Sequence, residues 1–296
     1  MHHERPVWFV TAASSGFGRE IVVNALRRGH IVVATARKPE RIQDLAEAGA
    51  DPMAFDVTSP QETINATAKQ VFTKYGRVDY LINAAGYILD GAVEEITKEE
   101  VFNCFDTNVF GTMSTIRAFL SGMRAQPVAT NGVRGTVVTF GSLGSWSGGP
   151  SYSAYGMAKG SMSLLAEALR SELAPFSIRA TVVEPGYFRT GFLNPGVMVE
   201  ARTRIDAYED EATPTGKARR SLKITDGNQR GDVKKGCNVI VDTLTGTGLA
   251  AGKELPVRVV LGKDCEQRIR DKFTSTLQIL DEWKDAIRNT DHDDVI

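Results

Sequence analysis

The sequence predicts one α/β domain: a doubly wound, parallel sheet with helices on both faces. Three observations predict it. Short apolar, β-branched runs alternate with helix-like segments through most of the chain. A turn of small residues and glycine joins the first run to the first helix-like segment. No internal repeat beyond this alternation and no second domain is visible, and its 296 residues are within reach of a single α/β domain.

Each element follows from local pattern. Residues 7–11 are apolar and read as a buried strand, and residues 16–28 as a helix stopped by Gly29. Residues 31–35 form a second strand, 39–48 a short helix ending before Gly49, and 53–55 a third strand. A helix over 61–75 stops at Gly76, and residues 78–83 form a fourth strand. One long helix is expected over 98–125, a strand over 136–140, a helix over 154–173 and a strand over 178–183. Alternation of this kind favours right-handed βαβ units. Residues 190–232 change character: they are polar, with Gly and Pro scattered among charges of both signs. Their basic and acidic clusters read either as a solvated surface or as a mobile lid over a ligand. The pattern resumes with a helix over 233–244, a strand over 257–261 and a final amphipathic helix over 265–288. Residues 289–296 are expected to be a disordered tail.

Composition excludes several classes of function. The net charge is −1, so nothing global attracts nucleic acid or an anionic membrane. No apolar run approaches the roughly 20 residues that span a bilayer, and the run at 7–10 is too short for a secretion signal. Three cysteines, Cys104, Cys237 and Cys265, are odd in number and lack metal-ligand spacing. They fit a reducing compartment, which makes the cytoplasm the expected location. His2, His3 and His292 lie near the termini and His30 in a turn, leaving no histidine for a metal or hydrolase site.

The first turn reads Thr11-Ala12-Ala13-Ser14-Ser15-Gly16-Phe17-Gly18. Small residues there let backbone N–H groups approach a phosphate at a helix N-terminus, as in a Rossmann-type dinucleotide fold. Such folds bind the ribose 2′-OH of NAD through an acid near the end of the second strand. Here that position, about 18 residues after Gly18, reads Thr35-Ala36-Arg37-Lys38. Two cations and no carboxylate favour a 2′-phosphate, and therefore NADP (NADPH) over NAD. Asp56, followed by Val57, follows the third strand; its carboxylate can accept from an adenine amino group or cap the turn. Asn83-Ala84-Ala85-Gly86 ends the fourth strand with small residues that keep a groove open, or forms a simple turn.

Ser142 follows the fifth strand, and Tyr155 and Lys159 stand four residues apart on one helix face. Carbonyl reduction needs that set. Hydride arriving at carbon leaves an alkoxide to be protonated. A tyrosine with its reference pKa near 10 does this poorly until an ammonium lowers that pKa. A serine hydroxyl can hold the substrate oxygen. A lone Tyr-x-x-x-Lys is common in helices, so its neighbours decide.

With those neighbours the chain resembles the short-chain dehydrogenase/reductase family over nearly its full length. The resemblance rests on the turn at 11–18, Asp56, Asn83 to Gly86, Asn108 in Asn108-Val109-Phe110-Gly111, Ser142, Tyr155 with Lys159, and Pro185-Gly186 with Thr190. It implies that Tyr155 is the general acid–base, that Lys159 lowers its pKa and binds the nicotinamide ribose, and that Ser142 orients the carbonyl. It also implies that Asn108 holds a relay water, and that Pro185, Gly186, Phe188 and Thr190 flank the nicotinamide. A homodimer or homotetramer built on the helices carrying Asn108 and Tyr155 is implied as well. The family usually has glycine where this chain has Ala12, which puts the turn's fine geometry in question. The region Ile31–Lys38, with Ala-Arg-Lys-Pro after the second strand, is similar to the hydroxysteroid and retinol dehydrogenase branch. The segment at 185–193 is similar to fungal members, some of them tailoring enzymes of secondary metabolism.

The substrate pocket is expected outside the carboxyl ends of the strands. Its candidate walls are Tyr87, Leu143, Trp146, Tyr152, Tyr187, Phe188, Phe192 and Leu193, which suit a moderately large, apolar carbonyl compound or alcohol. The expected activity is NADPH-dependent ketone or aldehyde reduction, reversible as alcohol oxidation. Two rivals are a non-redox NADP-binding sensor or scaffold, and an NADP-dependent imine reduction, epimerisation or cyclisation.

Overall fold

The computed structural model describes residues 5–194 and 197–292. His2 and His3, and the end of the expected tail from 293 on, lie outside these residues. Seven strands form one parallel sheet among the described residues, in the order β3-β2-β1-β4-β6-β7-β9. They are β1 (Val7–Val10), β2 (Ile31–Ala36), β3 (Asp51–Ala54), β4 (Tyr80–Ile82), β6 (Gly135–Phe140), β7 (Ile178–Pro185) and β9 (Arg258–Leu261). β1 and β6 are buried at every position, as strands covered on both faces must be. The order reverses between β1 and β4, and a ligand crevice opens at the carboxyl ends there.

Helices α1 (Gly16–Arg27) and α9 (Val233–Thr245) pack on one face. Their core includes Trp8, Val10, Ile21, Cys237 and Ile240. On the other face lie α3 (Gln61–Tyr75), α5 (Gly111–Ala125) and α6 (Ser153–Leu173), over a core of Phe9, Ile64, Leu81, Phe119 and Leu169. The short α2 (Gln43–Glu47) follows a 3-10 turn at Pro39–Ile42, where the sequence predicts one helix.

The long helix expected over 98–125 is interrupted. α4 (Lys98–Phe105) runs into a π-helical turn at Asp106–Phe110 before α5 begins. Asn108 lies in that turn, and its Nδ2 donates to the Cys104 carbonyl at 2.9 Å. The side chain thus serves a carbonyl beside the wide turn, and π turns of this kind gather at functional sites.

The polar stretch after 190 is more ordered than its composition predicts. β8 (Met198–Glu200) pairs with β5 (Ile88–Asp90) in a separate two-stranded sheet. α7 (Asp206–Glu209) and α8 (Pro214–Thr225) follow. Most of its charges are exposed, but Arg219 is buried and Arg204 half-buried. Arg219 pairs with Glu95, with Asp90 at 3.4 Å and with Glu209 at 2.6 Å. Arg204 reaches Asp90 at 2.8 Å, and the Glu95 carboxylate has no exposed surface. Arg202 and Arg220 do face solvent, as expected. The last helix divides into α10 (Lys263–Glu282) and α11 (Lys284–Arg288) at Trp283. Residues 289–292 continue as a turn, with Thr290 Oγ1 donating to Ile287 O at 2.7 Å.

Candidate active site

A cleft of about 1160 Å³, counting its open mouth, lies at the carboxyl ends of β1, β4, β6 and β7. The turn after β1 forms one wall. Ser15 stands at the N-cap of α1 without a side-chain cap bond, so the helix's first amides are left to a ligand. Gly16, Phe17 and Gly18 line the same wall, with Ala12. Gly18 is required by close approach: a Cβ there would meet the Ala12 carbonyl oxygen at 2.6 Å. Ala12 itself has φ +54°, the left-handed region in which an L residue is strained.

Thr11 is buried, and its Oγ1 accepts from the amides of Ala84 and Ala85 at 2.9 and 3.1 Å. One hydroxyl thereby joins the ends of β1 and β4. Asn83 is buried beneath, donating to Val138 O at 3.1 Å, and only Ala84 and Gly86 of this quartet face the cleft. Ser14 sits in the first turn, away from the cleft lining. Arg37 and Lys38 are exposed just beyond β2, and no ion pair among the described residues engages either. Of the two readings for Asp56, the structure displays the turn cap: its Oδ1 accepts from the amide and hydroxyl of Thr58 at 3.0 and 2.8 Å. Val57 is buried in the core beside it.

The floor of the cleft brings Ser142, Tyr155 and Lys159 together, all three buried. The extended β6 strand delivers Ser142 to the N-cap of a 3-10 turn, where its Oγ accepts from Gly144 N at 3.2 Å. Helical spacing puts Lys159 one turn below Tyr155, with Nζ 5.7 Å from the ring centroid and donating to Phe140 O at 3.1 Å. Burial lowers the Lys159 ammonium from its ordinary value to about 8. Burial also pushes the Tyr155 phenol up, and the Ser142 hydroxyl pulls it back.

Asn108 approaches from behind. Its Nδ2 donates to Tyr87 O at 3.1 Å, while its Oδ1 is buried with no partner. A Cβ on Gly86 would crowd that oxygen and come within 3.0 Å of Lys159 Nζ. Glycine therefore keeps open a small space bordered by Asn108 and Lys159.

Pro185, Gly186, Phe188 and Thr190 line the opposite wall. The Asp264 carboxylate presses against Gly186 and accepts from Tyr187 N at 2.7 Å, which fixes this segment. Of the expected substrate walls, Leu143, Tyr152, Tyr187, Phe192 and Leu193 face the cleft, and Phe192 lies 5.9 Å from the Tyr155 ring. Two expected walls are corrected. Trp146 is outside the lining: its Nε1 donates to Glu184 at 3.0 Å, and its ring lies between Arg258 and Phe273. Tyr87 packs with Leu89, Cys104 and Ala154 in a satellite cluster. Leu222, Gln229, Val197 and Ile88 also line the cleft. No local motif marks them: Ile88 enters on β5, and Val197, Leu222 and Gln229 come from the segment after residue 190.

A family model described as short chain dehydrogenase matches residues 6–197. The chain belongs to the short-chain dehydrogenase/reductase family. Oxidoreductase BOA17 of Botryotinia fuckeliana is 32% identical over 284 residues, covering 94% of this chain and 97% of its own. The 3-ketodihydrosphingosine reductase of Bacteroides thetaiotaomicron is 33% identical over 75% of this chain and 76% of its own. A short-chain dehydrogenase from Streptomyces avermitilis shares the fold with a TM-score of 0.84 and 34% identity, covering 98% of this chain and all of its own. The chain is thus an oxidoreductase of this family.

Proposed function

We propose that this oxidoreductase uses NADPH to reduce a ketone or aldehyde on a moderately large, mostly apolar molecule, reversibly. The observation that carries the reading is the meeting of Ser142, Tyr155 and Lys159 on the floor of a cleft whose wall is an uncapped helix N-terminus. The cofactor fits the residues present. The free amides of α1 would hold its pyrophosphate, Gly18 lets the helix close on the Ala12 carbonyl, and Gly86 keeps open the space between Asn108 and Lys159. Arg37 and Lys38, exposed beyond β2 and without an ion pair among the described residues, would hold a 2′-phosphate, which supports NADP over NAD.

When bound, the cofactor supplies hydride to the carbonyl carbon. Ser142 Oγ donates to the carbonyl oxygen and places it beside the Tyr155 hydroxyl. Tyr155 gives its proton to the forming alkoxide. The Lys159 ammonium, next to the tyrosine, stabilises the phenolate left behind. The space between Asn108 Oδ1 and Lys159 Nζ would hold a water that returns the proton. Phe192, Leu193 and Leu222 offer the apolar moiety a wall, with residues 190–232 as the substrate lid. The relative named for reducing 3-ketodihydrosphingosine supports a ketone of this kind.

Exposed Phe102, Phe110, Met113, Met157 and Leu164 on the helices around Asn108 and Tyr155 support a homo-oligomer through that face. The three cysteines are free and buried, which supports a reducing, cytoplasmic setting.

The test is NADPH oxidation over a panel of apolar ketones, with Tyr155→Phe beside the wild type. Turnover that falls about a thousandfold in the variant, with NADPH binding kept, is the expected result. Binding without turnover on any ketone would assign the protein to sensing or scaffolding. Full activity in Tyr155→Phe would exclude that residue as the proton donor.

A further inference from the structure

The C-terminal helix leaves the body of the protein. α10 has one buried side chain, Cys265, and from Arg270 to His292 every described residue is exposed. Contact with the domain reaches Phe273, whose ring lies 5.5 Å from Trp146. Beyond it the helix carries Leu277, Leu280 and Trp283 with about half or more of each side chain in solvent. At 100° per residue Ile269, Phe273, Leu277, Leu280 and Trp283 fall on one stripe. Most of a helix's stability in a protein comes from packing its apolar face, and an apolar stripe left in solvent calls for a cover.

We propose that this stripe pairs with the same stripe of a second copy of the chain, antiparallel, about a two-fold axis. Charge complementarity selects the occupant. One flank of the stripe carries Glu266, Arg270, Asp281 and Lys284 within an arc of about 60°. Their order along the helix is acid, base, acid, base. An antiparallel two-fold keeps a flank facing its own kind and reverses its direction. Centred near residues 275 and 276, it sets Arg270 opposite the partner's Asp281 and Glu266 opposite the partner's Lys284, each twice. The same register interleaves Phe273, Leu277 and Leu280 with their copies. Among the described residues of one chain Arg270 pairs with Glu266 alone, in an exposed pair of little energetic weight. A lipid surface fits less well. Residues 263–288 hold six basic and six acidic side chains, so the polar face has no net attraction for anionic headgroups. This face is separate from the one carrying Met157 and Leu164, and it touches the segment after Ser142 through Phe273 and Trp146.

The experiment is the assembly mass of the full chain by sedimentation equilibrium, with circular dichroism melts to show that each variant is folded. Leu277→Asp with Leu280→Asp is expected to halve the wild-type mass. Asp281→Arg alone is expected to weaken association at least tenfold, and Arg270→Asp added to it to restore association. Three outcomes overturn the proposal: an unchanged mass in the Leu277/Leu280 variant, no recovery in the charge-swapped double variant, or a monomeric wild type at 100 µM. Flotation of the wild type with phosphatidylcholine–phosphatidylserine vesicles, abolished in the Leu277/Leu280 variant, overturns it too and assigns the stripe to lipid.

Discussion

Ala12 shows how a single side chain sets a local cost. Its φ of +54° is one a Cβ resists, by roughly 1–2 kcal/mol. Glycine relieves that strain and returns part of the gain through the freer unfolded chain. Ala12→Gly should therefore raise stability by about 0.5–1 kcal/mol, read as a higher urea midpoint at an unchanged slope. A lower midpoint would mean the turn is not strained. Lys159 sets a second expectation. In the proposed mechanism its ammonium is the form that serves Tyr155, and burial lowers it to about 8. Reduction measured with NADPH and ketone both far below their KM, a rate that refers to the free enzyme, should be level below pH 8 and fall above it as the ammonium deprotonates. Tyr155, pushed the other way by burial, stays protonated across this range. Lys159→Arg should carry the falling limb beyond pH 10, since a guanidinium keeps its charge there. A wild-type profile flat to pH 9.5 would remove Lys159 from this role. Ser142, Tyr155 and Lys159 were legible because helical spacing and an adjacent strand end are local facts. Gln229 was not: it lies 74 residues beyond Tyr155 and reaches the cleft only through the fold.

Elements read well where one face meets the sheet and poorly where charge replaces apolar periodicity. The helix at Gln61–Tyr75 has the bounds its pattern predicts, because Ile64, Ala68 and Val71 repeat at helical spacing and Gly76 ends it in a left-handed cap. The π turn around Asn108 left no mark in the pattern, since the buried positions Cys104, Asn108 and Thr112 repeat at a spacing of four, which a plain α-helix also shows. The misread stretch is 198–225, where order comes from pairing and ion pairs. Arg219 faces Asp90, Glu95 and Glu209, and Glu95 also accepts from the amides of Ala92 at 2.7 Å and Ile205 at 3.0 Å. Burial pushes the Glu95 carboxyl up, but Arg219 and these two amides together hold it below its ordinary value. The sign follows: the latch is complete above the ordinary glutamate range and is lost as pH falls through the lowered value. Removing one partner from such a buried set costs about 3–5 kcal/mol. Arg219→Met should therefore release α7 and α8, read as faster amide exchange over 198–225 with the β6 and β7 amides still protected. Because Leu222 on α8 lines the cleft, KM for the carbonyl substrate should rise more than the Kd for NADPH. Unchanged exchange over 198–225 would show that the ion pairs do not hold this segment.

The whole molecule places its chemistry where the sheet changes direction. Two cores, one on each face, make the sheet rigid, and the chain's polar business is gathered at the strands' carboxyl ends between them. That arrangement ties cofactor binding to global stability. The cleft wall comes from the turn after β1, its floor from β4, β6 and α6, and its far side from the segment after β7, so the site exists only when the sheet is assembled. A ligand of this kind binds the folded chain alone and stabilises it by about 2.7 kcal/mol at a hundred times its Kd. For a chain of this size that is a rise in Tm of roughly 5 °C. Arg37 and Lys38 contribute nothing to the fold: both are exposed and no ion pair among the described residues holds them. Replacing both with alanine should leave the Tm of the free protein within about 1 °C, as surface substitutions do. At one fixed NADPH concentration the same change should remove much of the shift, while the shift with NADH stays as it was. Cations that act on the 2′-phosphate alone would give this pattern, and the two cofactors compared in one thermal melt separate that proposed role from a structural one. Equal shifts with NADPH and NADH in the wild type would leave the exposed pair without a phosphate to hold.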